Sequence, residues 1–202
     1  MKLYYSPGAC SLGIHVQLEE IGKPYELEQV NLRLPPPERN VTSVNPKARV
    51  PTLVRDDGSV LTEFPAIALW LARTNPESKL IPEDLEGEVR TVEALDYCVS
   101  TLHMQGFSRF FGAARAKTPE EAEGQRAIAR DIVGRGFIRV EAMLQGKDWL
   151  TGSYSAADSA LLYVCNWAGN FAVELPPNIA GHFARMKARP AVQAALKQEG
   201  LA

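Results

Sequence analysis

The sequence predicts an α/β domain built on a four-stranded mixed sheet, followed by an all-helical domain. Three observations lead there. Up to about Lys79, period-two segments alternate with helical ones; beyond it hardly any strand pattern remains; and the polar, proline-punctuated run from Asn75 to Asp84 separates the two stretches. The expected units are therefore residues 1–79 and 86–202. A chain of 202 residues holds one large domain or two small ones and buries a sizeable core without disulfide staples.

Taken in order, Leu3-Tyr5 reads as a short buried strand and Ser6-Pro7-Gly8-Ala9 as a tight turn. Ser11 to Gly22 follows as an amphipathic helix. Tyr25-Val30 is the second strand, parallel to the first because a helix separates them. Thr52-Arg55 and Ser59-Thr62 are joined by Asp56-Asp57-Gly58, a hairpin signal that makes them antiparallel neighbours. Glu63 to Thr74 reads as a helix. In the second half one long helix is expected from about Glu86 to Arg115, stopped by Thr118-Pro119, and the next from Pro119 to about Gln145. Ser155-Ala-Ala-Asp158 has the form of a capping box ahead of an apolar run, which makes Asp158 a buried structural acid. Pro176 and Pro190 mark the starts of two short terminal helices.

Composition narrows the function classes. A net charge of -2 provides no basic field for phosphates, so nucleic acid is not an expected partner. The longest apolar run, Ala66 to Ala72, falls far short of the roughly 20 residues of a membrane span, so no membrane association is expected. Cys10, Cys98 and Cys165 are widely spaced and include no Cys-x-x-Cys pair, which argues against a disulfide scaffold and against a metal site, and fits a reducing cytoplasm.

Cys10 stands at a strand-to-helix junction, where unpaired backbone N–H groups and the positive end of the helix dipole favour a thiolate. The same position also suits a small buried apolar residue. Val50-Pro51 lies just ahead of a strand. A cis bond there would turn the Val50 backbone toward the first helix, where it pairs with an extended peptide, although only about one X-Pro bond in twenty is cis. Glu63 begins a helix whose free N–H groups make a carboxylate seat; it reads as a cap ahead of an acceptor for a ligand ammonium. Asp96 and His103, seven residues apart on one helix, share a face, either as a site or as a solvated stripe. His15 and His182 read as surface or satisfied residues. Phe107, Phe110, Phe111 and Trp167 read first as helix packing and second as one wall of an interdomain cleft.

Tyr5-Ser6-Pro7-Gly8-Ala9-Cys10-Ser11-Leu12, Asn45 to Leu53 with Val50-Pro51, Leu61-Thr62-Glu63, Leu102-His103 and the ending from Arg185 to Leu196 together resemble the bacterial beta-class glutathione S-transferases. The similarity runs the length of the chain. It implies a thioredoxin-like glutathione-binding domain, a helical domain forming the electrophile site, a homodimer, and an interdomain cleft that holds glutathione as co-substrate beside a small hydrophobic electrophile, with no metal. It also implies a cis Pro51 and an active-site Cys10.

Position by position, the resemblance sets Cys10 and Ser11 by the glutathione sulfur and pairs the Val50 backbone with the cysteinyl unit. Glu63 and the N–H of Phe64 take the γ-glutamyl end, and Asp96 reaches the other subunit's glutathione. His103 lies near the sulfur as proton acceptor or hydrogen-bond donor, and Trp167 lines the electrophile site. Departures stand beside these matches. Phe64 replaces a small, often hydroxylic residue, Met104 a lysine, and Ala48-Arg49 a glycine-containing pair, while Gly106-Phe107 comes one residue late, so that either a bulge absorbs the offset or His103 is rotated away. Two other activities stay open at this stage: thiol-disulfide or peroxidase chemistry at Cys10, and a non-catalytic binding protein of the same fold.

Overall fold

The computed structural model describes residues 1–202. Strands β1 (Lys2–Tyr5), β2 (Glu26–Gln29), β3 (Thr52–Val54) and β4 (Val60–Thr62) form one sheet in the order β2-β1-β3-β4. β1 and β2 are parallel, with Leu3 opposite Leu27, and the remaining pairs are antiparallel, with Leu53 opposite both Leu3 and Leu61. Alternation places Leu3 and Tyr5 on the core side of β1. At the hairpin tip Gly58 adopts φ +82°, a left-handed conformation that favours glycine.

Helix α1 (Ser11–Ile21) is buried from Ser11 to Leu18 because it lies between the sheet and the helical domain. Its aliphatic residues Leu12, Ile14, Val16 and Leu18 each contribute about 1.5–3 kcal/mol through burial. Gly13 permits the close approach of α6, since a Cβ there would stand 2.7 Å from the Ser159 carbonyl oxygen. Helix α2 (Phe64–Thr74) starts directly after β4.

The expected long helix is interrupted. α3 (Leu85–Asp96) passes into a π-helical stretch, Tyr97–Phe107, before α4 (Ser108–Ala113) resumes α geometry. Bonding five residues apart accommodates extra chain per turn and keeps Cys98, Leu102, Gly106 and Phe107 on the buried side. α5 (Pro119–Met143) packs along this stretch and is capped by Thr118, whose Oγ1 accepts from the Glu121 N–H at 3.1 Å. α6 (Ala156–Asn170) is the buried spine of the helical domain, and α7 (Pro177–Ala188) and α8 (Pro190–Gln198) close it.

The capping box of α6 is formed as the sequence reading has it. Asp158 is buried and accepts from the N–H groups of Ser155 (2.8 Å) and Leu150 (3.0 Å), and Oδ1 lies 2.8 Å from Nε2 of His182. His15 and His182 are both buried rather than on the surface; both ring nitrogens of His15 have partners, whereas His182 pairs through Nε2 alone and its Nδ1 has none. One cluster of 39 buried hydrophobic residues extends from β1 to α8, so the sheet layer and the helices share a core instead of meeting at a thin contact. No helix is long and apolar enough to cross a membrane.

Candidate functional site

The turn between β1 and α1 is held from three directions. Within it, the Ala9 N–H donates to the Ser6 carbonyl at 2.9 Å, and Ser11 Oγ accepts from the Ser6 N–H at 3.1 Å. From the helical domain, Glu199 Oε2 accepts from the Gly8 N–H at 2.8 Å and the Trp167 indole N–H donates to the Gly8 carbonyl at 2.7 Å. Gly8 is thereby gripped through both its backbone N–H and its carbonyl. Ser11 is fully buried, which corrects its expected place beside a ligand sulfur: its hydroxyl points back into the turn because the Ser6 backbone takes it.

Cys10 occupies the N-cap position of α1 and donates its thiol to the Val50 carbonyl at 3.4 Å. Burial pushes the thiol up to about 12; the N–H groups of Ser11 and Cys10 itself and the Arg49 charge pull the other way without cancelling it. Of the two sequence readings, this favours the neutral thiol, since desolvation of the half-buried side chain outweighs the pull of the helix dipole.

The Val50–Pro51 peptide bond is cis. Its segment is braced by Asn45, whose Nδ2 donates to Thr52 Oγ1 at 2.8 Å and to the Arg49 carbonyl at 3.3 Å, and by Arg39, whose Nη1 donates to the Ala48 carbonyl at 2.8 Å. Across the sheet edge, Glu63 has φ +72° and precedes α2, yet its side chain does not cap the helix. It projects outward to Lys47 Nζ at 2.6 Å, and the helix N-terminus keeps its free N–H groups, that of Phe64 first among them. The Phe64 ring turns inward and packs at 5.4 Å from the Tyr163 ring.

The π-helical stretch delivers His103 to this place. Its ring stands edge-on to Trp167 with centroids 4.7 Å apart, and Nδ1 lies 3.4 Å from the Tyr163 hydroxyl. Burial, assisted by the Arg49 charge, pushes its pKa down to about 4. His103 is thus a neutral imidazole at pH 7, suited to donate a hydrogen bond to an anion and poorly suited to take a proton. Burial likewise holds the Tyr163 phenol well above its ordinary value, so it stays protonated. A bulge of the kind the late Gly106-Phe107 calls for is present in this stretch. It also separates Asp96 from His103. Asp96 is exposed at the end of α3, and the change from α to π geometry between it and His103 alters the shared face expected from sequence.

The aromatic wall also needs correction. Phe107 and Phe110 are sealed in the core, Phe110 stacked on Phe171 at 4.6 Å, and Trp167 is almost entirely buried with its indole committed to Gly8. Outside this layer Phe111 is 43% exposed, edge-on to Trp167 at 5.1 Å, and Met104 is 51% exposed. Among the groups that shape the site, Glu199 was invisible in the sequence, since it and Gly8 are 191 residues apart and belong to no motif. Tyr163 carried no signal either, reading only as part of an apolar helix.

The family described as glutathione S-transferase, N-terminal domain, matches residues 8–74. Glutathione S-transferase GstA of Escherichia coli O157:H7 is 38% identical, with 100% of each chain covered, and glutathione S-transferase GST-4.5 of Xanthomonas campestris pv. campestris is 35% identical, again over 100% of each. Among solved structures, a glutathione transferase from Methylococcus capsulatus has a TM-score of 0.87 at 39% identity, covering 100% of this chain and 99% of that one. A bacterial beta-class enzyme from Sphingomonas chungbukensis has a TM-score of 0.85 at 31%, and a sphingomonad glutathione S-transferase complexed with glutathione 0.84 at 33%, each over 100% of both chains.

Proposed function

The chain belongs to the glutathione S-transferase family, and on that premise we propose that it joins the glutathione thiolate to small hydrophobic electrophiles in the groove beside Cys10. It is a glutathione transferase with a thioredoxin-like first domain and a helical second one. The observation that carries the site reading is convergence: Cys10 meets the Val50 carbonyl, and the Arg49 charge acts on both Cys10 and His103, so three chain segments supply one polar spot.

Glutathione enters with its cysteinyl backbone against Val50, beside Pro51, and its γ-glutamyl carboxylate at the N–H of Phe64. Its ammonium goes to Glu63, displacing Lys47. The sulfur then lies between the His103 ring and the Cys10 S–H. Both are donors at neutral pH, the Cys10 S–H once glutathione replaces it on the Val50 carbonyl, and with the Arg49 charge they favour the anion. Each unit by which the glutathione pKa falls requires about 1.4 kcal/mol of preferential stabilisation, within reach of two or three hydrogen bonds. The thiol proton leaves to solvent. The sulfur attacks the electrophilic carbon, a C–S bond forms, and the leaving group departs with its bonding pair. Phe111 and Met104 offer the apolar surface for the electrophile, with Phe107, Phe110 and Trp167 supporting it from beneath. Because the Cys10 thiol stays protonated, it acts as a donor in this scheme and not as the nucleophile.

The proposal extends to a boundary between residues 79 and 86, with the cleft between the two units, and to a cytoplasmic homodimer. Three free thiols agree with a reducing compartment. For the dimer, Leu85 and Val89 on α3 are exposed beside an apolar cavity of about 160 Å³ lined by Pro65, Leu69, Ile81 and Leu95. Asp96 on the same helix then faces the second subunit. The test is glutathione-dependent turnover of chlorodinitrobenzene with calorimetric titration of glutathione. Wild-type protein turns over and binds, His103→Ala loses most of the turnover, and absence of both signals in wild type refutes the reading.

A further inference from the structure

Tyr163 stands on α6, sixty residues from His103, and none of its surface reaches solvent. Three rings fix its own: Phe64 at 5.4 Å, Trp167 at 4.9 Å, and His103 itself, edge-on at 80° with centroids 5.7 Å apart. Held in this way, its hydroxyl lies 3.4 Å from His103 Nδ1 and has no other partner. Long contacts of this kind tighten when substrate binds. The second ring nitrogen of His103, Nε2, makes no hydrogen bond within the protein, and with the residue only half-buried it is not sealed from solvent.

Burial keeps the phenol protonated and the imidazole neutral, so each ring has one proton to place. In one arrangement the Tyr163 O–H donates to Nδ1 and the His103 proton sits on Nε2, the open nitrogen. In the other, Nδ1–H donates to the Tyr163 oxygen, and the phenolic proton then needs an acceptor where the core supplies none. A buried donor left without a partner is costly, and the first arrangement avoids that cost. We propose that Tyr163 is a positioning residue that fixes the His103 proton on Nε2 and thereby supplies the N–H that donates to the glutathione sulfur. The proposal rests on the transferase reading given above. A hydrogen bond at one ring nitrogen sets what the other nitrogen offers, and it also holds the ring plane. Without the hydroxyl, His103 is free to turn its unprotonated nitrogen to the sulfur, where a lone pair opposes an anion.

The test is Tyr163→Phe, which keeps the ring and removes one oxygen. Imidazole nitrogen NMR reads the tautomer in the protein alone, with the His103 signals identified by their loss in His103→Gln. Wild type at neutral pH carries the proton on Nε2 and shows Nδ1 shifted as a hydrogen-bond acceptor; Tyr163→Phe loses that shift. With glutathione and chlorodinitrobenzene, Tyr163→Phe lowers kcat about fivefold, the worth of one hydrogen bond, while the glutathione KM stays within about twofold. Tyr154→Phe removes another buried hydroxyl, on a ring packed against Trp149 and Arg189, and leaves both readouts as in wild type. A wild-type proton on Nδ1, His103 signals identical in wild type and Tyr163→Phe, or an unchanged kcat in Tyr163→Phe overturns the proposal. So does an equal fall in kcat in Tyr154→Phe, which assigns the effect to packing. If wild type shows the Nε2 proton and turns over nothing, the transferase reading falls while the tautomer assignment stands.

Discussion

Replacing Glu199 with alanine tests whether the far end of the chain holds the turn before Cys10. The carboxylate is buried, accepts from the Gly8 N–H at 2.8 Å and lies 2.9 Å from His15 Nδ1. Removing it strands two polar groups away from water, at about 1–3 kcal/mol each, against which the desolvation of the carboxylate is recovered. The net loss is about 2–4 kcal/mol, which for a chain of this size lowers Tm by roughly 6–12 °C. The Gly8 peptide is then held only through the Trp167 indole on its carbonyl side, so the 6–10 turn loosens and the glutathione KM rises several-fold. Urea unfolding with calorimetric glutathione titration reads both effects. Glu199→Gln keeps an acceptor oxygen for Gly8 and recovers more than half the loss. An alanine variant with an unchanged urea midpoint and unchanged glutathione affinity refutes the reasoning.

His103, with its pKa lowered to about 4 from an ordinary 6.5, makes stability pH-dependent in a defined window. Above pH 6.5 neither folded nor unfolded chain protonates it. As pH falls from 6.5 to 4 the unfolded chain takes the proton first, so stability drops by up to about 3 kcal/mol, and His103→Gln flattens the slope of unfolding free energy across that interval. Cys10, raised to about 12, reacts with iodoacetamide at pH 7.5 far more slowly than a free thiol, and its alkylation rate still climbs above pH 10; mass spectrometry of the modified peptide measures this, and fast alkylation at neutral pH contradicts the assigned protonation state. Gly13→Ala pushes a methyl group against the Ser159 carbonyl at 2.7 Å, backbone that cannot step aside, and costs about 1–3 kcal/mol in denaturant unfolding; a neutral effect shows that α1 and α6 are less closely packed than described.

Much of the fold was legible because its signals are local. Alternation marked Leu3 and Tyr5, Asp56-Asp57-Gly58 fixed the β3–β4 pairing, Gly22 ended α1, and Ser155 with Asp158 declared the start of α6. The π-helical stretch from Tyr97 to Phe107 was not. Its only hint was the late Gly106-Phe107, and hydrophobic spacing alone does not separate bonding four residues apart from bonding five apart. The site was readable as a set of residue types, whereas their states were not. Whether Cys10 ionises is decided by burial contributed by distant segments, and whether Phe107 faces a ligand or Phe137 depends on where α5 lies. Ser11 misled for the same reason, since proximity to Cys10 in sequence says nothing about which way its hydroxyl turns. Glu199 was beyond reach because the contact links the two ends of the chain.

The account rests on a glutathione sulfur held as an anion by donors from Cys10 and His103. Ultraviolet titration of the complex, following thiolate absorbance against pH in wild type and in His103→Ala, measures this directly. In wild type the bound thiol is expected to ionise at least about one unit below free glutathione, and His103→Ala to move it back toward the free value. Bound glutathione that titrates like the free tripeptide in both proteins contradicts the account.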